Sequence, residues 1–265
     1  MTTVPPTVAQ LFSLEGKTAI VAGGTGGLGL AMTSALAEAG ADIISLELPH
    51  DKLSAGLESK VKELGRRYTR FECDLSDSKK IRAVFEEMWK ADVVPDILLN
   101  SAGIQRRGSV EDITDDDIDA VLQINLKATF VIAQEFGRRL LALERKGKII
   151  NVASIISFIG NTNISPYAAS KGGVMQMTKA FSNEWAGRGI TVNAICPGYM
   201  KTALTEQYST DPKYKGYNDY IIGRTPAGRW GEPRDLKGAV VFLAAPGSDF
   251  VTGTSLVVDG GILAK

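Results

Sequence analysis

The chain has 265 residues, of which 44% are hydrophobic, and its 30 basic side chains balance 30 acidic ones, so the formal net charge is zero. A neutral chain has no electrostatic attraction to nucleic acid or to an anionic membrane surface, which argues against both kinds of partner. With only two cysteines, Cys73 and Cys196, no long apolar run and no signal-like start, the sequence predicts a cytoplasmic protein with buried free thiols.

Short apolar runs alternate with helical patterns along the chain after an N-terminal arm, residues 1–13. Seven strands are predicted, at 18–22, 42–46, 68–73, 97–99, 148–152, 190–195 and 255–258. Helices are predicted at 28–39, 51–64, 78–90 and 235–244, with one more beginning at Thr114 and another passing through Tyr167 to Ala186. This alternation predicts one α/β domain over residues 1–265, a doubly wound, Rossmann-like parallel sheet flanked by helices. In such sheets ligands bind beyond the carboxyl ends of the strands.

A glycine-rich loop lies between the first strand and the first long helix, with the sequence Gly23-Gly24-Thr25-Gly26-Gly27-Leu28-Gly29. Glycines there allow a tight turn and a close approach of backbone N–H groups to a pyrophosphate, which the helix N-terminus also attracts. Because the loop sits between strand and helix, it predicts a dinucleotide site. Two registers fit the spacing: one uses Gly24, Gly26 and Gly29, and the other uses Gly23, Gly27 and Gly29.

Three side chains with the spacing of a proton-transfer site follow the fifth predicted strand. Tyr167 lies thirteen residues after Ser154, and Lys171 lies four residues after Tyr167, so the phenol and the ammonium share one helix face. A free phenol has a pKa of about 10, and lowering it by about 3 units requires about 4 kcal/mol of differential stabilisation. We expect Lys171 to favour the phenolate, Tyr167 to act as general base or acid, and Ser154 to hold the substrate oxygen.

The glycine loop together with Ser154, Tyr167 and Lys171 resembles the short-chain dehydrogenase/reductase family, which uses the second glycine register. The resemblance implies an NAD(P)-dependent oxidoreductase that moves a hydride between nicotinamide and an alcohol or ketone carbon. It also implies a fourth catalytic residue, Asn125, which supports a water chain to the lysine. The family is usually tetrameric, sometimes dimeric, so a homotetramer or homodimer is expected.

Further segments match the same family and add expected cofactor contacts. Asn100, Ala102 and Gly103 follow the fourth predicted strand, and Pro197, Gly198, Met200 and Thr202 follow the sixth. The resemblance places these residues around the cofactor, with Thr202 bonded to the nicotinamide carboxamide. It also assigns Asp74 and Leu75, after the third strand, to the adenine, although Asp74 has the alternative role of a turn or capping residue.

The second strand ends at Glu47, which bears on the choice of cofactor. A carboxylate there accepts hydrogen bonds from the adenosine ribose and repels a 2′-phosphate. Positions 26 and 48 carry Gly and Leu, where NADP-preferring relatives often carry a basic residue. NAD is therefore favoured, while His50 and Lys52 leave NADP open.

Within the family, four stretches resemble gluconate-type dehydrogenases that act on sugar acids: 12–17, 103–107, 183–186 and 226–231. Arg106 and Arg107 follow the fourth strand, and one of them can bind a substrate carboxylate, unless both are solvated or paired with Glu111 or Asp112. Gln105, Arg106, Ser154 and Tyr199 are the predicted substrate contacts. A long irregular stretch, residues 199–222, is predicted to form the substrate lid.

Two alternatives stay open at this point: an NADPH-dependent carbonyl reductase of broader substrates, and a non-catalytic dinucleotide-binding regulator. The complete set of Asn125, Ser154, Tyr167 and Lys171 argues against the regulator. No metal is predicted, because no His, Cys and Asp cluster has ligand spacing.

Overall fold

A computed structural model describes residues 5–203 and 205–265 of the chain. Seven strands form one sheet, and every pair of neighbouring strands is parallel. The strands are β1 (Thr18–Ala22), β2 (Asp42–Glu47), β3 (Tyr68–Glu72), β4 (Ile97–Asn100), β5 (Gly147–Val152), β6 (Ile190–Pro197) and β7 (Ser255–Val258). Their order across the sheet is β3-β2-β1-β4-β5-β6-β7, so the strand order reverses between β1 and β4. The predicted Rossmann-like fold is confirmed.

Ten α-helices are found among the described residues, and most of them connect consecutive strands. They are α1 (Val8–Leu11), α2 (Gly27–Glu38), α3 (Ser54–Glu63), α4 (Ser78–Lys90), α5 (Asp115–Leu122), α6 (Thr129–Ala142), α7 (Ser165–Trp185), α8 (Glu206–Thr210), α9 (Lys215–Arg224) and α10 (Lys237–Ala244). A π-helical turn, Gln123–Ala128, joins α5 to α6. No helix in this part of the chain is both long and apolar enough to cross a membrane.

Both faces of the sheet are covered, because side chains alternate along each strand. In β1, Ile20 packs into a core formed with α4, α6 and α7, where Phe85, Phe136 and Phe181 are buried. Its neighbour Val21 packs into the opposite core, formed with α2, α3 and α10. Cys73 and Cys196 are buried free thiols, as predicted. The resulting rigid sheet fixes the positions of the loops at its carboxyl edge.

Some predicted boundaries were wrong for local reasons. Helix α3 begins at Ser54 instead of residue 51, because residues 48–51 form a turn. The Asp51 carboxylate at the end of this turn accepts a hydrogen bond from the Leu53 N–H, just before the helix begins. Helix α10 begins two residues late, after a 3₁₀ turn at Pro233–Leu236. The stretch 199–222 is not irregular, since α8 and most of α9 lie within it; Leu204 falls outside the described residues. The first four residues of the predicted arm also lie outside them, and α1 occupies its second half.

Candidate active site

The carboxyl ends of the central strands border a cavity of about 460 Å³, a size typical of small-molecule sites. It lies where the strand order reverses, as expected for this class of sheet. The predicted residues that line it come from the glycine loop, from the segments that follow β4, β5 and β6, and from α7: Gly26, Gly27, Leu28, Gly29, Gly103, Gln105, Ser154, Tyr167, Lys171, Pro197, Gly198 and Thr202.

The glycine loop forms one wall of this cavity and has no room for side chains at two positions. Gly23 has a φ of 78°, and a Cβ built on it would lie 2.6 Å from the backbone of Ala102. A Cβ on Gly29 would lie 1.9 Å from the carbonyl oxygen of Gly23. Helix α2 begins at Gly27, so its free N–H groups meet the loop. This cradle fits the pyrophosphate of a dinucleotide.

Tyr167 and Lys171 lie one turn apart near the start of α7, and Ser154 faces them from the end of β5. The Lys171 ammonium lies 5.7 Å from the centre of the Tyr167 ring and donates a 2.6 Å hydrogen bond to the Val152 carbonyl. The Ser154 hydroxyl accepts a 3.1 Å hydrogen bond from the Ile156 N–H, which fixes its position. The structure thus brings together the three residues that the sequence spacing predicts.

Burial shifts the pKa values of both predicted proton-transfer groups, Tyr167 and Lys171. Desolvation lowers the pKa of Lys171 to about 8, because the buried ammonium loses its hydration. Burial raises the pKa of Tyr167, and a hydrogen bond from Ser154 opposes that rise. The lowering of the phenol pKa by Lys171 therefore stays a prediction, since in the chain alone desolvation raises this pKa and only the Ser154 hydrogen bond opposes the rise.

Asn125 lies in the π-helical turn, which the sequence pattern did not predict. Its side-chain oxygen accepts a 2.8 Å hydrogen bond from the Ile104 N–H, and its amide donates to the Ile104 carbonyl and to Ser170. A Cβ on Gly103 would lie 3.3 Å from the Asn125 oxygen and 3.5 Å from the Lys171 ammonium. Asn125 therefore anchors the loop after β4 beside the lysine. Single π-helical turns within α-helices are frequent at functional sites.

A second, smaller cavity of about 130 Å³ adjoins the first. Ser154, Tyr167, Gln105 and Gly198 line both cavities, so the proposed reacting groups stand between them. The predicted contact Tyr199 also lines the smaller cavity, where its ring packs edge-on against Trp230 and its hydroxyl accepts a 3.1 Å hydrogen bond from Asn161.

The substrate prediction for Arg106 is corrected by the geometry. Its guanidinium pairs with Asp117 at 3.2 Å on the outside of the protein, and it does not line either cavity. Arg107 lines the smaller cavity instead, with its guanidinium 5.8 Å from the centre of the Tyr208 ring. Within residues 5–203 and 205–265, no acidic side chain forms an ion pair with Arg107. Arg107 is therefore the one basic side chain among the residues that line the smaller cavity.

Comparison with known proteins identifies the family. A sequence profile described as Enoyl-(Acyl carrier protein) reductase matches residues 22–263. A 2-dehydro-3-deoxy-D-gluconate 5-dehydrogenase of Pseudoalteromonas atlantica is 42% identical, over 97% of this chain and 99% of its own. The Escherichia coli enzyme of the same name is 41% identical, over 97% of this chain and all of its own.

The chain belongs to the short-chain dehydrogenase/reductase family. Its fold also matches the crystal structure of a gluconate 5-dehydrogenase from Burkholderia cenocepacia in complex with NADP and tartrate, with a TM-score of 0.90 and 37% identity. That match covers 98% of this chain and 100% of the other. This short-chain dehydrogenase/reductase is accordingly an NAD(P)-dependent oxidoreductase that acts on a CH–OH group.

Several predicted cofactor residues of this dehydrogenase are engaged with the protein itself. The Glu47 side chain is buried, and its carboxylate accepts a hydrogen bond from the Tyr68 hydroxyl. Asp74 accepts hydrogen bonds from the backbone and hydroxyl of Ser76, which, together with Lys80, hold the pKa of its carboxyl below the usual value. Leu75 is only 9% exposed and packs into the core. In this structure the three side chains therefore contribute to the stability of the fold.

Two further predicted residues, Met200 and Asn100, do not line the larger cavity but pack next to it. Met200 is buried and forms a bridge to Gly231, so its side chain belongs to the core rather than to the cavity wall. The Asn100 amide donates a 2.9 Å hydrogen bond to Asn151, which ties β4 to β5 below the cavity. Thr202 does line the larger cavity, as predicted.

Sequence reasoning missed several cavity residues. In the larger cavity these are Leu53, Ser101, Ile104, Val152, Ala153 and Ala203. In the smaller one they include Asn161, Ile164, Thr205 and Trp230. Most lie next to a recognised motif, so proximity to a strand end was the available signal. Asn161 carried no such signal, because the loop before α7 has no regular periodicity.

Proposed function

We propose that this enzyme interconverts a hydroxyl and a keto group on a sugar acid of the gluconate type. The observation that carries the proposal is the shared wall of the two cavities, where Ser154 and Tyr167 stand at the cofactor side and Arg107 lines the substrate side. An unpaired guanidinium suits a carboxylate, which it can bind with two parallel hydrogen bonds. The names of the relatives and the tartrate bound in the Burkholderia cenocepacia enzyme support an anionic substrate.

The residues then divide the work as follows. Arg107 holds the substrate carboxylate, and Ser154 donates a hydrogen bond to the oxygen at the reacting carbon. Tyr167 accepts the hydroxyl proton during oxidation and returns it during reduction. The nicotinamide cofactor, when bound against the glycine loop, supplies the hydride acceptor or donor and a positive charge in its oxidised form.

Lys171 and Asn125 prepare Tyr167 for this role. A phenol whose pKa burial raises needs a nearby positive charge to release its proton, and the Lys171 ammonium lies beside the ring. Because desolvation lowers the pKa of Lys171 to about 8, that lysine can itself exchange a proton near neutral pH. Asn125 holds the loop that packs against the lysine and offers a path for the proton.

For the cofactor we propose a preference for NAD over NADP. Gly26 and Leu48 supply no cation for a 2′-phosphate. The Burkholderia cenocepacia structure contains NADP, so a direct comparison of NADH with NADPH is needed to test the preference of this chain for NAD.

A panel assay tests the reaction and the cofactor together. We expect keto sugar acids to be reduced with NADH at a kcat/KM at least tenfold higher than with NADPH. The loss of absorbance of the reduced cofactor measures both rates. Neutral ketones and uncharged sugars are expected to react at least tenfold more slowly, because they leave Arg107 without a partner. Preference for NADPH with neutral ketones would instead identify a broader carbonyl reductase and refute both assignments.

We also propose a homotetramer or homodimer, which exposed aromatic side chains support. Phe250 is fully exposed, and Phe130 on α6 is 40% exposed while its ring packs edge-on against Phe181 of α7. Large exposed apolar groups often mark protein contacts. Light scattering on the purified protein is expected to give two or four times the chain mass of 28.3 kDa. A single-chain mass at micromolar concentration would refute this assembly.

A further inference from the structure

A hydrogen bond joins two loops that border the adenosine end of the cofactor site. The Thr25 hydroxyl, in the glycine loop, donates to a carboxylate oxygen of Asp51 over 2.7 Å. Asp51 lies in the connection from β2 to α3. The nicotinamide end of the site is marked by Tyr167 and Lys171, so the adenosine half lies on the other side of the glycine loop, toward β2. Asp51 stands on that side.

The Asp51 carboxylate is held in place. Its second oxygen accepts a 2.9 Å hydrogen bond from the Leu53 N–H, and Leu53 itself lines the cofactor cavity. A turn from Leu48 to Asp51, with His50 in the left-handed region at a φ of 59°, brings the carboxylate back over the glycine loop. Each carboxylate oxygen accepts more than one hydrogen bond, so Asp51 retains acceptor sites after both contacts.

Glu47, the carboxylate expected to meet the ribose, is turned away from this position. The residue is 3% exposed, and one oxygen accepts a hydrogen bond from Tyr68 on β3. The other lies 3.5 Å from the Arg70 guanidinium, which offsets its charge. Asp51, by contrast, is half-buried and forms no ion pair with a basic side chain in the described parts of the chain. Of these two carboxylates, only that of Asp51 lacks a basic partner among the residues that the structure describes.

We propose that Asp51 is the residue that selects NAD against NADP, by accepting a hydrogen bond from the adenosine 2′-hydroxyl and repelling a 2′-phosphate. The inference rests on the proposed function, since it requires that the chain bind a nicotinamide dinucleotide at the glycine loop. Glu47 has a supporting role, in which Tyr68 keeps its carboxylate inside the protein. No chemical step is involved, so the effect belongs to binding.

Calorimetric titration with 5′-ADP and with 2′,5′-ADP tests this without any turnover. In the unmodified enzyme we expect 2′,5′-ADP to bind more weakly than 5′-ADP. In Asp51→Asn the amide oxygen can still accept from the Leu53 N–H, and the amide nitrogen can donate to the Thr25 hydroxyl. This variant is expected to narrow the ratio of the two dissociation constants about tenfold. Asp51→Ser keeps a shorter cap and provides a second variant if the first is poorly folded. Glu58→Gln removes one exposed charge from α3, the helix that follows Asp51, and is the matched control.

The outcomes separate the inference from the proposed function. A tenfold change with the Asp51 variants, beside less than a threefold change with Glu47→Gln and Glu58→Gln, supports Asp51. A ratio unchanged within twofold in both Asp51 variants, or a larger change with Glu47→Gln, overturns it while leaving dinucleotide binding intact. Failure of the unmodified enzyme to bind either nucleotide overturns the proposed function and this inference with it.

Discussion

Replacing Tyr167 with Phe is expected to lower kcat by about 10³-fold, while binding of the dinucleotide changes by less than twofold. The substitution removes only the hydroxyl that transfers the proton, and positioned acid–base groups contribute typically about 10²–10⁴-fold. The ring stays in place beside Lys171, whose ammonium lies 5.7 Å from its centre. Steady-state rates and NADH fluorescence titration measure the two quantities on the same preparation.

The binding titration is the control for this variant, because it shows that the glycine loop and the cavity are intact. A thermal melting curve checks the fold as well, since Tyr167 is largely buried on α7. If Tyr167→Phe kept more than a tenth of the activity, Tyr167 would not be the proton-transfer group. If the catalytically inactive Tyr167→Phe variant still performed the full biological function, the protein would have to be interpreted as a non-catalytic regulator.

Replacing Arg107 with Met is expected to raise KM for a sugar acid about 50-fold and to change kcat by less than fivefold. Methionine keeps the apolar stem but removes the charged guanidinium, and charged hydrogen bonds contribute about 1.5–3 kcal/mol, which corresponds to roughly 10- to 150-fold in binding. Neutral polyols and ketones are expected to react at an unchanged rate. Initial-rate kinetics with paired acidic and neutral substrates measure the difference.

Arg106→Met is the matched control for this prediction. Arg106 is adjacent in sequence and carries the same charge, but it pairs with Asp117 outside the substrate cavity. We expect its KM for the sugar acid to stay within threefold of the unmodified enzyme. Equal losses in the two variants would show that only the local positive potential matters, and a larger loss for Arg106→Met would refute the assignment to Arg107.

The elements that the sequence predicted best are those with a strong local signal. Strand β1 and the following glycine loop were placed within a residue, because an apolar strand, a run of glycines and a largely apolar helix occur in direct succession. The relation of Tyr167 to Lys171 was also predicted, since a four-residue spacing on one helix fixes a shared face. Here local backbone geometry alone determines where the side chains lie.

Other features depended on contacts between distant segments. The π-helical turn at Asn125 fits the hydrogen bonds that this side chain makes with Ile104 and Ser170, which lie 21 and 45 residues away in sequence. The helices α8 and α9 were missed because their apolar side chains pack among themselves, as Tyr208 does with Tyr214 and Tyr217. A periodicity search has no access to such packing.

The sequence by itself determined the fold class and the family and predicted the proton-transfer residues, because periodicity and short motifs encode them within a few neighbouring positions. Only the tertiary structure decided which of two adjacent arginines lines the smaller cavity, and that Asp51 rather than Glu47 is hydrogen-bonded to the glycine loop. Arg106 and Arg107 lie in a loop without regular periodicity, and Glu47 is turned inward by Tyr68 from another strand. In each case the direction of a side chain depends on a partner that the local sequence does not contain.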